Sequence, residues 1–139
     1  MLAPVIQQEL PEETKKMPPK VLFIDDDNMV RQTITEGLRT SGFTVVSAAN
    51  GLQGLEKFAR AKPDIVITDI IMPDADGLHT IQEIRKKDAK IPIIAVSGGG
   101  RTHNMEFLSI AEQLGATATI AKPFRITMLI KEIETLLGK

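Results

Sequence analysis

From Lys20 onward the chain alternates between short apolar runs and stretches whose apolar positions recur every three or four residues. The runs are Val21–Ile24, Thr44–Ser47, Ile65–Thr68, Ile91–Val96 and Thr117–Ile120. They are rich in β-branched residues and mostly apolar at successive positions, the signature of strands buried on both faces of a parallel sheet. Between them, Met29, Val30, Thr33, Ile34, Gly37 and Leu38 give a first helical stripe, ended by Gly42. Leu52, Leu55, Phe58 and Ala59 give a second, stopped by Pro63. Leu78, Ile81 and Ile84 give a third, with Glu83, Arg85, Lys86 and Lys87 expected to face outward. Met105, Leu108, Ala111 and Leu114 give a fourth, closed by Gly115, and Ile126, Leu129, Ile130, Ile133, Leu136 and Leu137 give a fifth. Five strand–helix units in series predict an α/β domain over residues 20–139, of (βα)5 type, with a doubly wound parallel sheet and right-handed crossovers.

Residues 1–19 break this pattern. Pro4, Pro11, Pro18 and Pro19 fall among charged residues, without glycine or a sustained apolar period, so a flexible leader is expected. With 139 residues, the chain has room for one domain with a sizeable core. A net charge of −1 gives no basic footprint for nucleic acid or a membrane surface. The absence of cysteine removes disulfides and thiolate metal sites. No apolar run is long enough to span a bilayer, and the N-terminus lacks the pattern of a signal peptide. A cytoplasmic protein is expected.

Three polar fragments stand at predicted strand ends: Asp25-Asp26, Asp69 and Lys122-Pro123. In an open parallel sheet these ends lie along one edge, where such folds hold their sites. Two carboxylates ~5 Å apart at an effective dielectric of ~20 repel by about 3 kcal/mol, so three of them call for a cation. Taken alone, Asp69 could equally cap the loop that follows it. Asp27, with Asn28, is expected to cap the first helix. Ser97 ends the fourth strand before Gly98, Gly99 and Gly100, which read as a loop with backbone freedom. Pro73, Asp76 and Gly77 read as a structural turn, Gly77 supplying the special turn conformation. Met72 reads as packing. His79 and His103 have no companion ligands and are expected to be surface or packing residues.

Four strings, VLFIDDDNMVR, PDIVITDIIMPDADG, IPIIAVSG and GATATIAKPF, occur in this order, each around a strand end. Together they resemble the receiver domain of bacterial two-component response regulators, over about residues 20–138. The resemblance implies a flavodoxin-like sheet of order 2-1-3-4-5. It also implies Mg²⁺-dependent transfer of a phosphoryl group from a histidine kinase or histidine phosphotransfer protein to Asp69. Asp25, Asp26, Asp69 and the backbone carbonyl of Ile71 would hold the Mg²⁺, with Mn²⁺ as an alternative. Lys122 would pair with a phosphoryl oxygen, after which a cis peptide would lead to Pro123. Ser97 would report the phosphoryl group to a protein-interaction face. The domain would be a phosphoacceptor rather than an enzyme, with intrinsic autophosphorylation and autodephosphorylation. Its partners would be the kinase and a downstream protein, with neither nucleic acid nor membrane. A homodimer through the fourth helix, fifth strand and fifth helix is compatible with the pattern.

The chain departs from that family at Thr119, where many receivers carry an aromatic residue, and at Asn28, where a proline is common. Two other readings compete. A haloacid-dehalogenase-like phosphohydrolase would use Asp25 as nucleophile with Asp27, but Met29 stands where that motif needs Thr or Val. A degenerate receiver would serve only as an interaction module, against which the full Asp/Asp/Lys/Ser set argues.

Overall fold

The computed structural model describes residues 18–70, 77–97 and 104–138; of the predicted leader, residues 1–17 lie outside them. Along the chain run β1 (Lys20–Ile24), α1 (Asn28–Thr40), β2 (Thr44–Ala48), α2 (Gly51–Ala61), β3 (Ile65–Asp69), α3 (Gly77–Lys87), β4 (Ile93–Ser97), α4 (Asn104–Leu114), β5 (Ala118–Ala121) and α5 (Ile126–Leu137). The five strands form one parallel sheet in the order β2-β1-β3-β4-β5.

Alternation along each strand divides the core into two layers. Val21, Phe23, Val45, Ile65, Ile67, Ile94, Val96 and Ile120 pack under Ile34 and Leu38 of α1 and Leu129 and Ile133 of α5. Leu22, Ile24, Val66, Ile93 and Ala95 face the other way, under Phe58 of α2, Ile81 and Ile84 of α3 and Ala111 of α4. Each fully buried Leu or Ile contributes about 2 kcal/mol by leaving water, which outweighs the weak local preference of short strands. This is why both faces of β1, β3 and β4 read as continuous apolar runs.

The elements match the periodicity, with shifts that have local causes. β4 begins at Ile93 rather than Ile91, because the Ile91 N–H donates to Asp88 Oδ1 (3.0 Å) and Pro92 has no N–H to give. β5 begins one residue after Thr117, whose hydroxyl accepts from the Ile93 N–H (3.0 Å). Arg85 does not simply face outward. Its guanidinium crosses to the α4–β5 turn, donating to the Gly115 carbonyl (2.9 Å) and the Thr117 hydroxyl (3.2 Å). Burial lowers its pKa, partly offset by Asp88, which still leaves an arginine charged.

Candidate functional site

β1 delivers the first acid. The ladder runs one residue past the strand, with the Asp25 N–H donating to the Ala48 carbonyl (3.1 Å), and this holds Asp25 at 1% exposure. Asp26 turns out to solvent. Asp27 then starts α1: its N–H donates to Asp25 Oδ1 (2.9 Å), while its own carboxylate accepts from the N–H groups of Met29 (2.9 Å) and Val30 (3.1 Å). The cap expected of Asp27 and Asn28 together is therefore made by Asp27 alone. Asn28 is the first helical residue, and its side-chain oxygen accepts from Arg31.

β3 delivers the second. Ile24 is level with Thr68 across the β1–β3 ladder, so the residues that follow, Asp25 and Asp69, emerge side by side at the carboxyl edge. The Ile70 N–H donates to the Val96 carbonyl (2.9 Å), and the Gly77 N–H to the Ile70 carbonyl (3.1 Å), tying the end of β3 to β4 and to the start of α3. Gly77 has no positive φ among the described residues. Its need for glycine is proximity: a Cβ there would run into the Asp69 carbonyl oxygen and the Ile70 Cα, both backbone atoms. That differs from the turn role expected of it.

One ligand oxygen from each of Asp25, Asp26 and Asp69 lies within 4.8 Å of the others. Lys122 closes the group. Its N–H donates to the Ser97 carbonyl (2.8 Å), and its ammonium reaches Asp25 Oδ2 (3.0 Å) and Asp69 Oδ2 (3.4 Å). Burial by itself lowers the pKa of this ammonium, but the hydrogen bond to Asp25, the charges of Asp69 and Asp25 and the bond to Asp69 outweigh it, so the pKa is raised. The Lys122–Pro123 peptide is cis, as the resemblance implied. Ser97 is fully buried at the end of β4, and its Oγ has no hydrogen-bond partner among the described residues. A buried hydroxyl left unpaired costs roughly 1–3 kcal/mol, so it stands ready for an acceptor.

Three carboxylates against one ammonium leave an excess of two negative charges. The donors are all oxygen and one of the acids is open to water, which fits a hard divalent cation such as Mg²⁺ or Mn²⁺. A cleft lies beside this cluster. A groove of about 380 Å³, lined by Asp27, Met29, Val30, Lys122, Pro123 and Phe124 among others, adjoins it and is largely apolar. Ile71, Met72, Pro73, Asp76, Gly98, Gly99, Gly100 and His103 lie outside the described residues. His79 is exposed on α3. Thr119 is level with Ala95 of β4 and half-buried. The sequence reading passed over Arg31, which donates to the Asp25 carbonyl (2.7 Å). Its place six residues after Asp25, at the end of the first turn of a helix whose side chains lean back toward their N-terminus, was the available signal.

Comparison with known proteins agrees with this architecture. The family model described as "Response regulator receiver domain" matches residues 21–134. The chain is 38% identical over 117 residues to the probable C4-dicarboxylate response regulator DctR of Bacillus subtilis, covering 83% of this chain and 50% of that protein. It is 36% identical over 120 residues to the chemotaxis protein CheY of the same organism, covering 86% of this chain and 98% of that protein. Among solved structures, a response regulator receiver domain protein from Clostridium thermocellum superposes with a TM-score of 0.80 at 29% identity, covering 86% of this chain and 94% of that one. This chain thus spans about half the length of DctR and of the mycobacterial regulator PrrA (51%), and nearly all of CheY.

Proposed function

This chain belongs to the response regulator receiver family of two-component signalling, and from that premise we propose that it is a phosphorylation switch with Asp69 as acceptor. An oxygen of the Asp69 carboxylate attacks the phosphorus of a phosphohistidine on a histidine kinase or phosphotransfer protein. The O–P bond forms as the P–N bond breaks, and the imidazole leaves with the electron pair and takes up a proton. A carboxylate suits this work because phosphoryl transfer depends more on alignment and charge stabilisation than on basicity. Lys122 meets the charge of the transferred group, and the Ser97 hydroxyl donates to one of its oxygens. Asp25, Asp26, Asp69 and the Ile71 carbonyl would hold Mg²⁺, or Mn²⁺ in its stead, which would supply positive charge to offset the negative charge of the transferred group. Water attacking the same phosphorus forms a new O–P bond as the Asp69 O–P bond breaks, releasing inorganic phosphate and returning the carboxylate.

The observation that carries this reading is Lys122 bridging Asp25 and Asp69, beside a Ser97 hydroxyl with no partner among the described residues. The hydrolase reading needs Asp25 free to attack and Asp27 free to handle protons. Asp25 has one oxygen engaged by the Asp27 N–H and the other by Lys122, and one oxygen of Asp27 is engaged by the helix cap. The full set of acids, lysine and serine likewise counts against a degenerate receiver. Exchange with a kinase calls for a cytoplasmic protein and a downstream protein target, with no part for nucleic acid or membrane in this domain. A homodimer through α4, β5 and α5 is one form that the output could take.

The test is incubation with a small phosphodonor and Mg²⁺, followed by intact-mass measurement. Wild type should gain one phosphoryl group and Asp69→Ala none. A gain that persists in Asp69→Ala would overturn the acceptor assignment, and label mapped to Asp25 would favour the hydrolase.

A further inference from the structure

We infer that Arg31 is a positioning residue for the acidic loop, setting its affinity for a divalent cation without touching the cation. The inference rests on the receiver reading above. Arg31 stands at the end of the first turn of α1, half-buried. One guanidinium nitrogen donates to the Asp25 backbone carbonyl (2.7 Å) and the other to the side-chain oxygen of Asn28. The bond goes to the carbonyl of the peptide joining Asp25 to Asp26. On the far side of Asp26, the Asp27 N–H is held by Asp25 Oδ1 (2.9 Å). The backbone of Asp26 is thus pinned at both ends, while its side chain is exposed. The direction of the Asp26 carboxylate follows from that backbone.

Arginine suits this position for two reasons. Its planar fork serves two acceptors on different parts of the chain at once, which a single ammonium does less well. It also brings positive charge near Asp25 and Asp26 through a backbone carbonyl, leaving the carboxylates available as ligands. Lys122, by contrast, takes a carboxylate oxygen directly from each of two acids. The two cations therefore differ in kind: Lys122 competes for ligand oxygens, and Arg31 aims them. Partners that orient metal ligands from behind commonly govern affinity on the order of tenfold or more.

The experiment measures Mn²⁺ and Mg²⁺ dissociation constants by calorimetry on the full chain, for wild type, Arg31→Ala, Arg31→Lys, Asn28→Ala and Asp26→Asn. Thermal unfolding and amide hydrogen exchange are followed on the same proteins with chelator present. Arg31→Ala should weaken Mn²⁺ binding on the order of tenfold, with Arg31→Lys and Asn28→Ala in between. The Asp27 amide should exchange faster in Arg31→Ala without metal. Wild-type affinity in Arg31→Ala, or an unchanged Asp27 exchange rate, overturns the inference. So does a loss of thermal stability with no change in affinity, which marks a merely structural contact. If Arg31→Ala fails to fold, Arg31→Lys and Asn28→Ala decide by the same criteria. Mn²⁺ binding that is absent from wild type, or unaffected by Asp26→Asn, instead refutes the acid cluster as a metal site, and the exchange measurement still decides on Arg31.

Discussion

The Lys122 ammonium lies 3.0 Å from Oδ2 of Asp25, a carboxylate 97 residues earlier in the chain and almost wholly buried. Removing the lysine takes the ammonium away from that carboxylate. Lys122→Met should destabilise the metal-free protein by about 1–3 kcal/mol, the cost of stranding a buried charged acceptor after discounting for partial exposure of the lysine. Saturating Mg²⁺ should restore more stability to the variant than it adds to wild type, because it supplies the missing positive charge. Chemical denaturation with and without Mg²⁺ measures both effects. Equal stabilisation of the two proteins by Mg²⁺ would count against a shared electrostatic role.

Ser97 presents the opposite case, a buried hydroxyl with no partner among the described residues. Ser97→Ala removes an unpaired polar group, so the resting domain should be unchanged or up to about 1 kcal/mol more stable. The response to phosphodonor should shrink, since the alanine has nothing to offer a phosphoryl oxygen. Amide chemical-shift changes along β4 and β5 on phosphorylation report this. A full-size response in the variant would remove Ser97 from the switch.

Gly77 sits where α3 meets the backbone at the end of β3. Gly77→Ala must push a methyl group against the Asp69 carbonyl and Ile70 Cα, neither of which can rotate away. A loss of about 1–3 kcal/mol in stability is expected, with slower phosphoryl uptake at Asp69 as its backbone shifts. Denaturation midpoints and labelling rates test the two halves separately.

One outer strand of the sheet, β2, carries its own protection. β2 is bonded to β1 on one side only, and the carbonyls of Val45 and Ser47 alternate with those facing β1. Each is taken by a cation from a flanking helix: Val45 by Arg39 (3.0 Å) and Ser47 by Lys57 (2.6 Å). Charged side chains on an edge strand deter pairing with another chain. The double variant Arg39→Ala/Lys57→Ala should therefore self-associate at concentrations where wild type stays monodisperse, as read by sedimentation velocity. Indistinguishable sedimentation would show that these bonds serve stability alone.

Much of this protein was written in local pattern. Strand and helix positions follow from which residues must leave water. Burial on both faces marks β1, β3 and β4, and a one-sided stripe marks each helix, so period and composition suffice to find them. The acids at strand ends were visible for the same reason, as charges at the limit of an apolar run. What local pattern could not carry was adjacency. Asp25 and Asp69 become neighbours because β3 lies beside β1, and Lys122 reaches both only after two crossovers have brought β5 to the far side of β4. The resemblance to receivers supplied that strand order; periodicity alone did not. Gly77, Arg31, Arg39 and Lys57 owe their roles to atoms from other elements or from the turn before, whose distance no residue type announces. The chain's hydrophobic rhythm settled which segments would be buried. Packing then decided which polar atoms those segments carry into contact, because hydrogen bonds and charges act over a few ångströms in space and are indifferent to separation along the chain.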